Sequence, residues 1–159
     1  MAVKGTIQFK DGDGNDLTGP REDGSSLILD FNFGVMLPFD AQGKIQGQRN
    51  ITPFTITKEI DQLTPQLAQI ICTAARCSSI AVFLFRIEPT TGLEKMFFTY
   101  LFENAHIVSQ TQSMPSHTGD RAEDVGHLET VSFLAERVTW LFSEGNIQFM
   151  DEPALHLTQ

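Results

Sequence analysis

A chain of 159 residues supports one well-buried domain and is too short for two of ordinary size. Hydrophobic residues at 41% and charged residues at 19% give an ordinary globular balance rather than a disordered one. The formal net charge of −9 argues against a sequence-independent nucleic-acid binder, which needs clustered Lys and Arg, and fits a soluble protein kept off anionic membranes.

The start, Met1-Ala2-Val3-Lys4-Gly5-Thr6-Ile7, has no apolar signal-peptide core. The longest strongly apolar run, Ile80 to Phe85, is about a third of what a membrane-spanning helix requires. Synthesis in the cytoplasm without membrane insertion is expected, and any export must use a route that reads no N-terminal signal. Val3, Ile7 and Phe9 then alternate with polar residues as a strand, and Asp11-Gly12-Asp13-Gly14-Asn15 turns the chain. Leu27, Leu29, Phe31, Phe33, Val35 and Leu37 are apolar at every second position and predict one long half-buried strand. Residues Pro38 to Asn50 are polar with Gly43 and Gly47, and read as a long exposed loop.

A strand through Phe54 and Ile56 leads to the one good helix signal. Thr64 is placed as N-cap with Pro65 in the first helical position, and Leu67, Ile70, Ile71, Ala74 and Ala75 share a face, with an end expected near Arg76. On such a helix Cys72 and Cys77 point roughly 140° apart, so both are read as reduced thiols. Period two then returns. Ile80 to Phe85 is apolar on both faces, and Pro89-Thr90-Thr91-Gly92 turns into a strand through Met96 to Glu103. Another strand starts near His106, and Ser113 to Gly126 is a second polar loop. In the last long strand Val131 and Phe133 are odd while Val138, Trp140 and Phe142 are even, which predicts a bulge near Leu134 to Arg137. Glu144-Gly145-Asn146 turns into Ile147 and Phe149.

Seven or eight strands with one helix specify a mainly β domain, a barrel or a sandwich. The informative detail is an excess of apolar surface, including thirteen Phe. The strands at 80–87 and 96–102 are apolar on two faces where a small barrel needs one. A helix on the outer side could cover one such strand, but two neighbouring strands exceed one short helix. A subunit interface through Phe83, Phe85, Phe97 and Leu101 is the economical explanation.

Chemistry-bearing motifs are weak. Asp11, Asp13, Asn15 and Glu22 have acidic spacing like a calcium loop, but Asp16 stands where Gly is required, and a hairpin turn is the better reading. His106, His117, His127 and His156 show no metal-ligand spacing, and no cofactor is expected. An enzyme using His106, His127 and Glu129 is an alternative without a supporting motif. A ligand-binding barrel is another, opposed by large Phe side chains that would fill a small interior. Glu59 and Asp61, beside Lys58, are read as a surface ion pair or as capping for the helix.

The run Arg49-Asn50-Ile51-Thr52-Pro53-Phe54-Thr55-Ile56-Thr57-Lys58-Glu59-Ile60-Asp61 resembles the signature segment of the haemolysin-coregulated protein (Hcp) family. Its motif residues here are Pro53, Phe54, Thr57, Lys58, Glu59 and Asp61. Leu63-Thr64-Pro65-Gln66-Leu67 is similar to the family's helix start, and His127 to Phe133 with Val138-Thr139-Trp140 to its closing strands, including the Trp. Ala135 departs from the aromatic residue common there, and Asn50-Ile51 from the usual His-containing form. The resemblance covers essentially the whole chain, 1–159, as a single domain. It implies a two-sheet β-barrel with one flanking helix, the architecture of phage tail-tube proteins, and a phage-like tail tube protein is the nearest alternative. It also implies hexameric rings stacked into the inner tube of a type VI secretion system, with spike, sheath and effector proteins as partners and no catalysis. Stacking contacts are expected in the loop at Ala41, Gly43, Lys44, Gln46 and Gln48.

Overall fold

The computed structural model describes residues 4–114 and 126–152. In chain order the elements are β1 (Lys4–Lys10), β2 (Ser26–Ile28), β3 (Asp30–Asn32), β4 (Val35–Met36), β5 (Asn50–Ile51), β6 (Phe54–Glu59), α1 (Leu63–Cys72), β7 (Cys77–Ile87), β8 (Glu94–Ser113), β9 (Leu128–Phe142) and β10 (Ile147–Asp151). Eight strands form one antiparallel sheet in the order β2-β1-β7-β8-β9-β6-β3, with β10 also on β9, while β4 and β5 pair separately. The sheet is drawn into a barrel because β2 and β3 are neighbours in sequence but sit at its two ends. Residue Ile28 lies opposite Gly5 of β1, whereas Leu29 N already donates to Thr57 O of β6 at 2.7 Å.

That closure also corrects the expectation of one long strand from Leu27 to Leu37. The segment changes partner, and therefore face, at Leu29. Ile28 is buried, Leu27 and Leu29 are exposed, and Phe31 and Phe33 turn back onto the core. Beyond Phe33 the chain leaves the barrel altogether. Residues 35–51 fold as a hairpin arm: β4 pairs β5, Phe39 bridges Ile45, and the Asp40 carboxylate accepts from Gln42 N and Lys44 N. Gly43 closes that turn at φ 82°, a conformation open to glycine at little cost. The expected loop is thus an ordered projection.

Helix α1 starts two residues earlier and ends four residues sooner than the sequence suggests. Asp61 Oδ1 accepts from Leu63 N at 2.9 Å while Thr64 Oγ1 accepts from Asp61 N at 3.1 Å, so two side chains share the N-terminal cap. At the other end Ala74 takes φ 53°, with Ala75 N donating to Ile70 O and Ala74 N to Ile71 O. This is a Schellman-type stop without glycine. Leu63, Leu67 and Ile70 are buried in the same core as Ile7, Phe9, Ile56, Ile107 and Val131. Ala74 and Ala75 lie beyond the helix and are exposed.

The parity change in β9 is real, but its cause differs from the one expected. Register is kept from Glu103↔Arg137 to Ala105↔Ala135, so no residue is inserted between 134 and 137. Both strands change face together at a corner where Asn104 takes φ 50° and its Nδ2 donates to Glu136 Oε2. Phe102 and Val138 point inward on one side of it, Ile107 and Phe133 on the other. The register slip lies on β8, where Val108 is the extra residue between Ile107 and Ser109. A second slip leaves Phe97 extra between Met96 and Phe98 opposite β7. The interior is filled by rings: Phe54 stacks on Phe31 at 5.4 Å and on Phe133 at 5.3 Å, and lies 4.9 Å from Phe102.

Candidate functional site

Three features outside the apolar core are available for function, and each follows from its local sequence. The first is the signature cluster. Lys58 is in phase with Phe54 and Ile56 on β6, and Glu129 with Val131 and Phe133 on β9, so strand alternation aims both charges inward. They stand on neighbouring strands, Lys58 directly opposite Glu129. Both side chains are 0% exposed, which corrects the expectation of a surface pair. Lys58 Nζ lies 2.7 Å from Glu129 Oε2, 2.8 Å from Asp61 Oδ1 and 3.1 Å from Glu59 O. Glu129 further accepts from Thr64 Oγ1 at 2.8 Å and from Gln110 Nε2, and Asp61 Oδ2 from Ser26 Oγ at 2.5 Å. Three strands and the first turn of α1 converge on one lysine. Glu59 itself is exposed, Thr57 half-buried, and Pro53 exposed before the buried Phe54. The carboxylates of Glu129 and Asp61 and the Lys58 ammonium are all committed to protein partners, while Ser26, Glu59 and Asp61 also line a shallow surface pocket.

The second feature is the outer side of the sheet. Ile80 and Val82 of β7 and Phe102 of β8 face the core, so Ala81, Phe83, Thr99 and Leu101 face away from it. Phe83, Phe85, Phe97 and Leu101 are half-buried by their neighbours in the sheet. The single helix of the described residues turns its buried side into the core and supplies no second layer here. Cations ring this surface: Lys4 Nζ is 5.2 Å from the Phe85 ring centroid and Arg86 Cζ 5.0 Å from that of Phe97. Trp140 instead faces inward, with its ring 5.8 Å from Phe33 and 5.7 Å from Phe149.

The third feature comprises the arm and strand β10. Ala41, Gly43, Lys44, Gln46 and Gln48, the expected stacking residues, are all exposed on the arm. The sequence reading missed the apolar members beside them: Val35, Met36, Leu37, Phe39 and Ile45 are exposed, Phe39 by 70%. It led the chain into Ile147 and Phe149 but did not foresee that Ile147, Phe149 and Met150 of β10 are exposed at a strand paired on one side only among the described residues. Alternation at Leu37 and Phe39 was a readable signal for the arm. No local pattern told that its apolar residues face away from the barrel.

Asp11 Oδ1 accepts from Asp13 N and Asn15 N, so the acidic loop is an Asx turn that spends its carboxylate on backbone. His106 and His127 are exposed, and His106 lies opposite Leu134 while Leu128 lies opposite Ser113. The two histidines are therefore about seven residue steps apart along the strands, roughly 23 Å, and Glu129 points away from both into the core. The structure does not bring that constellation together, and His117 and His156 lie outside the described residues. Cys77 is buried, and burial, with a smaller contribution from Asp11, pushes its thiol up to about 11, while Cys72 is exposed. No helix is long and apolar enough to cross a membrane among the described residues.

Comparison with known proteins agrees with this geometry. The family model for the type VI secretion system effector Hcp matches residues 4–142. The Major exported protein of Pseudomonas aeruginosa is 29% identical over 149 residues, covering 88% of this chain and 86% of that protein. Among solved structures, a variant of Hcp1 from the EAEC 042 pathovar of E. coli superposes with a TM-score of 0.84 at 30% identity, over 95% of this chain and 99% of that one. A second Hcp crystal structure gives a TM-score of 0.86 at 21% identity, over 95% and 98%, and speaks for the fold. A barrel with one flanking helix and a family match spanning nearly the whole described chain lead to one conclusion: this chain belongs to the Hcp family and is a type VI secretion tube/effector protein.

Proposed function

We propose that the chain closes into six-membered rings that stack into the inner tube of the secretion system and carry effector proteins inside it, with spike and sheath proteins as the tube's other partners. The observation that carries this reading is the uncovered apolar side of β7 and β8, with Phe83, Phe85, Phe97 and Leu101, on a barrel whose interior is already filled. A ring uses two different surfaces of each subunit, and the chain offers them: this sheet face on one side, and the exposed apolar residues of β10 and the arm elsewhere. The role in this reading is mechanical. Export of the assembled tube is in keeping with the name of the Pseudomonas relative, Major exported protein.

Native mass spectrometry of the purified protein, with negative-stain images of the same sample, tests the proposal. A six-subunit mass with ring-shaped particles is expected. A clean monomer at high concentration overturns it.

A further inference from the structure

The arm stands clear of the barrel wall. A groove of about 450 Å³ separates residues Gln48 to Thr52 from Phe102, Phe133, Leu134, Ala135 and Val138. At its root Thr52 N donates to Gly34 O at 3.0 Å and Gly34 N to Thr52 Oγ1 at 2.9 Å, and beyond the root the β4–β5 pairing and the Asp40 turn stiffen it. A two-stranded arm of this kind is only marginally stable on its own and opens about its root unless something holds it. One side chain reaches across. Arg49 Nε donates to Asp151 Oδ2 at 2.6 Å and its Nη2 to Asp151 Oδ1 at 2.7 Å. Two parallel charged hydrogen bonds fix direction as well as distance. The far end is itself anchored, because Arg137 of β9 bonds Glu152 beside Asp151 and also Glu103 of β8.

We infer that the Arg49–Asp151 pair is a latch that holds the arm off the barrel in the orientation that stacking requires, which makes both positioning residues for tube assembly. The inference rests on the tube reading for its consequence, but the latch itself can be measured without it. Hydrogen exchange is followed on the full chain and on Asp151→Asn, Arg49→Lys and the charge swap Arg49→Asp with Asp151→Arg. In the single variants, amides of residues 35–51 exchange about tenfold faster or more, while those of β6, β8 and β9 keep their protection. The same variants retain the six-subunit mass and lose stacked tubes on micrographs, and the swap restores both arm protection and tubes. Unchanged arm exchange in both single variants overturns the latch. A loosened arm with normal tubes overturns its role in assembly. If the unmodified chain makes no rings, the tube reading fails, and the exchange data still decide the latch.

Discussion

Lys58 has three ammonium protons and three acceptors within 3.1 Å, so the cost of burying its charge is offset only while all of them stay in place. Lys58→Met therefore leaves the enclosed Glu129 without its cation, and a loss of about 3–5 kcal/mol is expected in urea unfolding. Adding Glu129→Leu to that variant recovers part of the loss, because a buried pair replaced by apolar groups is often near neutral. An unchanged midpoint for the single variant refutes the cluster as a structural lock. Strand phase carried a signal for both charges that the surface reading passed over, since 54, 56 and 58 share parity on β6, as do 129, 131 and 133 on β9. Their meeting was not legible, because it depends on pairing between strands some seventy residues apart. Cys77 gives a second test at this scale. Its thiol holds its proton up to about 11 in the fold, against an ordinary value of 9.0, so above pH 9 the unfolded chain loses the proton first. Stability present below pH 9 is then lost as pH rises toward 11, by up to about 1.4 kcal/mol per unit. Cys77→Ala flattens that slope relative to the parent. If the two chains lose stability in parallel over that window, the thiol is not its source.

At the scale of elements, α1 shows how a real signal can be misplaced by a few positions. Thr64 does cap, but it does so from inside the first turn, sharing the work with Asp61 two residues ahead of Leu63. The apolar spacing runs on to Ala75, yet the helix stops at Cys72 because Ala74 adopts a left-handed backbone and the chain turns toward β7. An alanine there is strained by roughly 1–2 kcal/mol, and nothing in the local sequence announces it. Ala74→Gly is accordingly expected to stabilise the protein by about 1 kcal/mol, since glycine reaches φ 53° freely while its greater unfolded-state entropy takes back part of the gain. A higher urea midpoint with an unchanged slope checks this, and a lower midpoint would show that the Ala74 methyl is worth more than its strain. The corner in β8 and β9 carries the same lesson. Parity in β9 marked the place correctly, but one strand read alone cannot distinguish an inserted residue from a bend shared with its partner.

The whole molecule was legible as a barrel or a sandwich because period two dominates the chain, and the family resemblance chose the barrel. How the barrel closes was not, since the stitch at Leu29 is a change of partner within a single alternating run. The same distinction between inner and outer faces separates assembly from folding. Shortening Ala41 to Gln48 removes the arm's tip and leaves the sheet face untouched, so rings are expected to persist while stacked tubes disappear from micrographs. Intact tubes would place stacking elsewhere. Phe83→Asp probes the other contact. Phe83 stands on the outer side of β7 opposite Thr6 and Thr99, away from the core cluster, so the substitution empties no cavity and costs the monomer only about 1 kcal/mol of strand preference. A core change such as Phe102→Ala, by contrast, is expected to cost about 3–5 kcal/mol. In a ring the introduced carboxylate would be repeated and desolvated at every interface, at a cost that an association of modest area does not tolerate. Native mass spectrometry of Phe83→Asp should thus show monomer with a parent-like circular dichroism spectrum. A full ring mass would mean that subunits meet through another face, and a melted spectrum would mean that the outer side of β7 belongs to the fold itself.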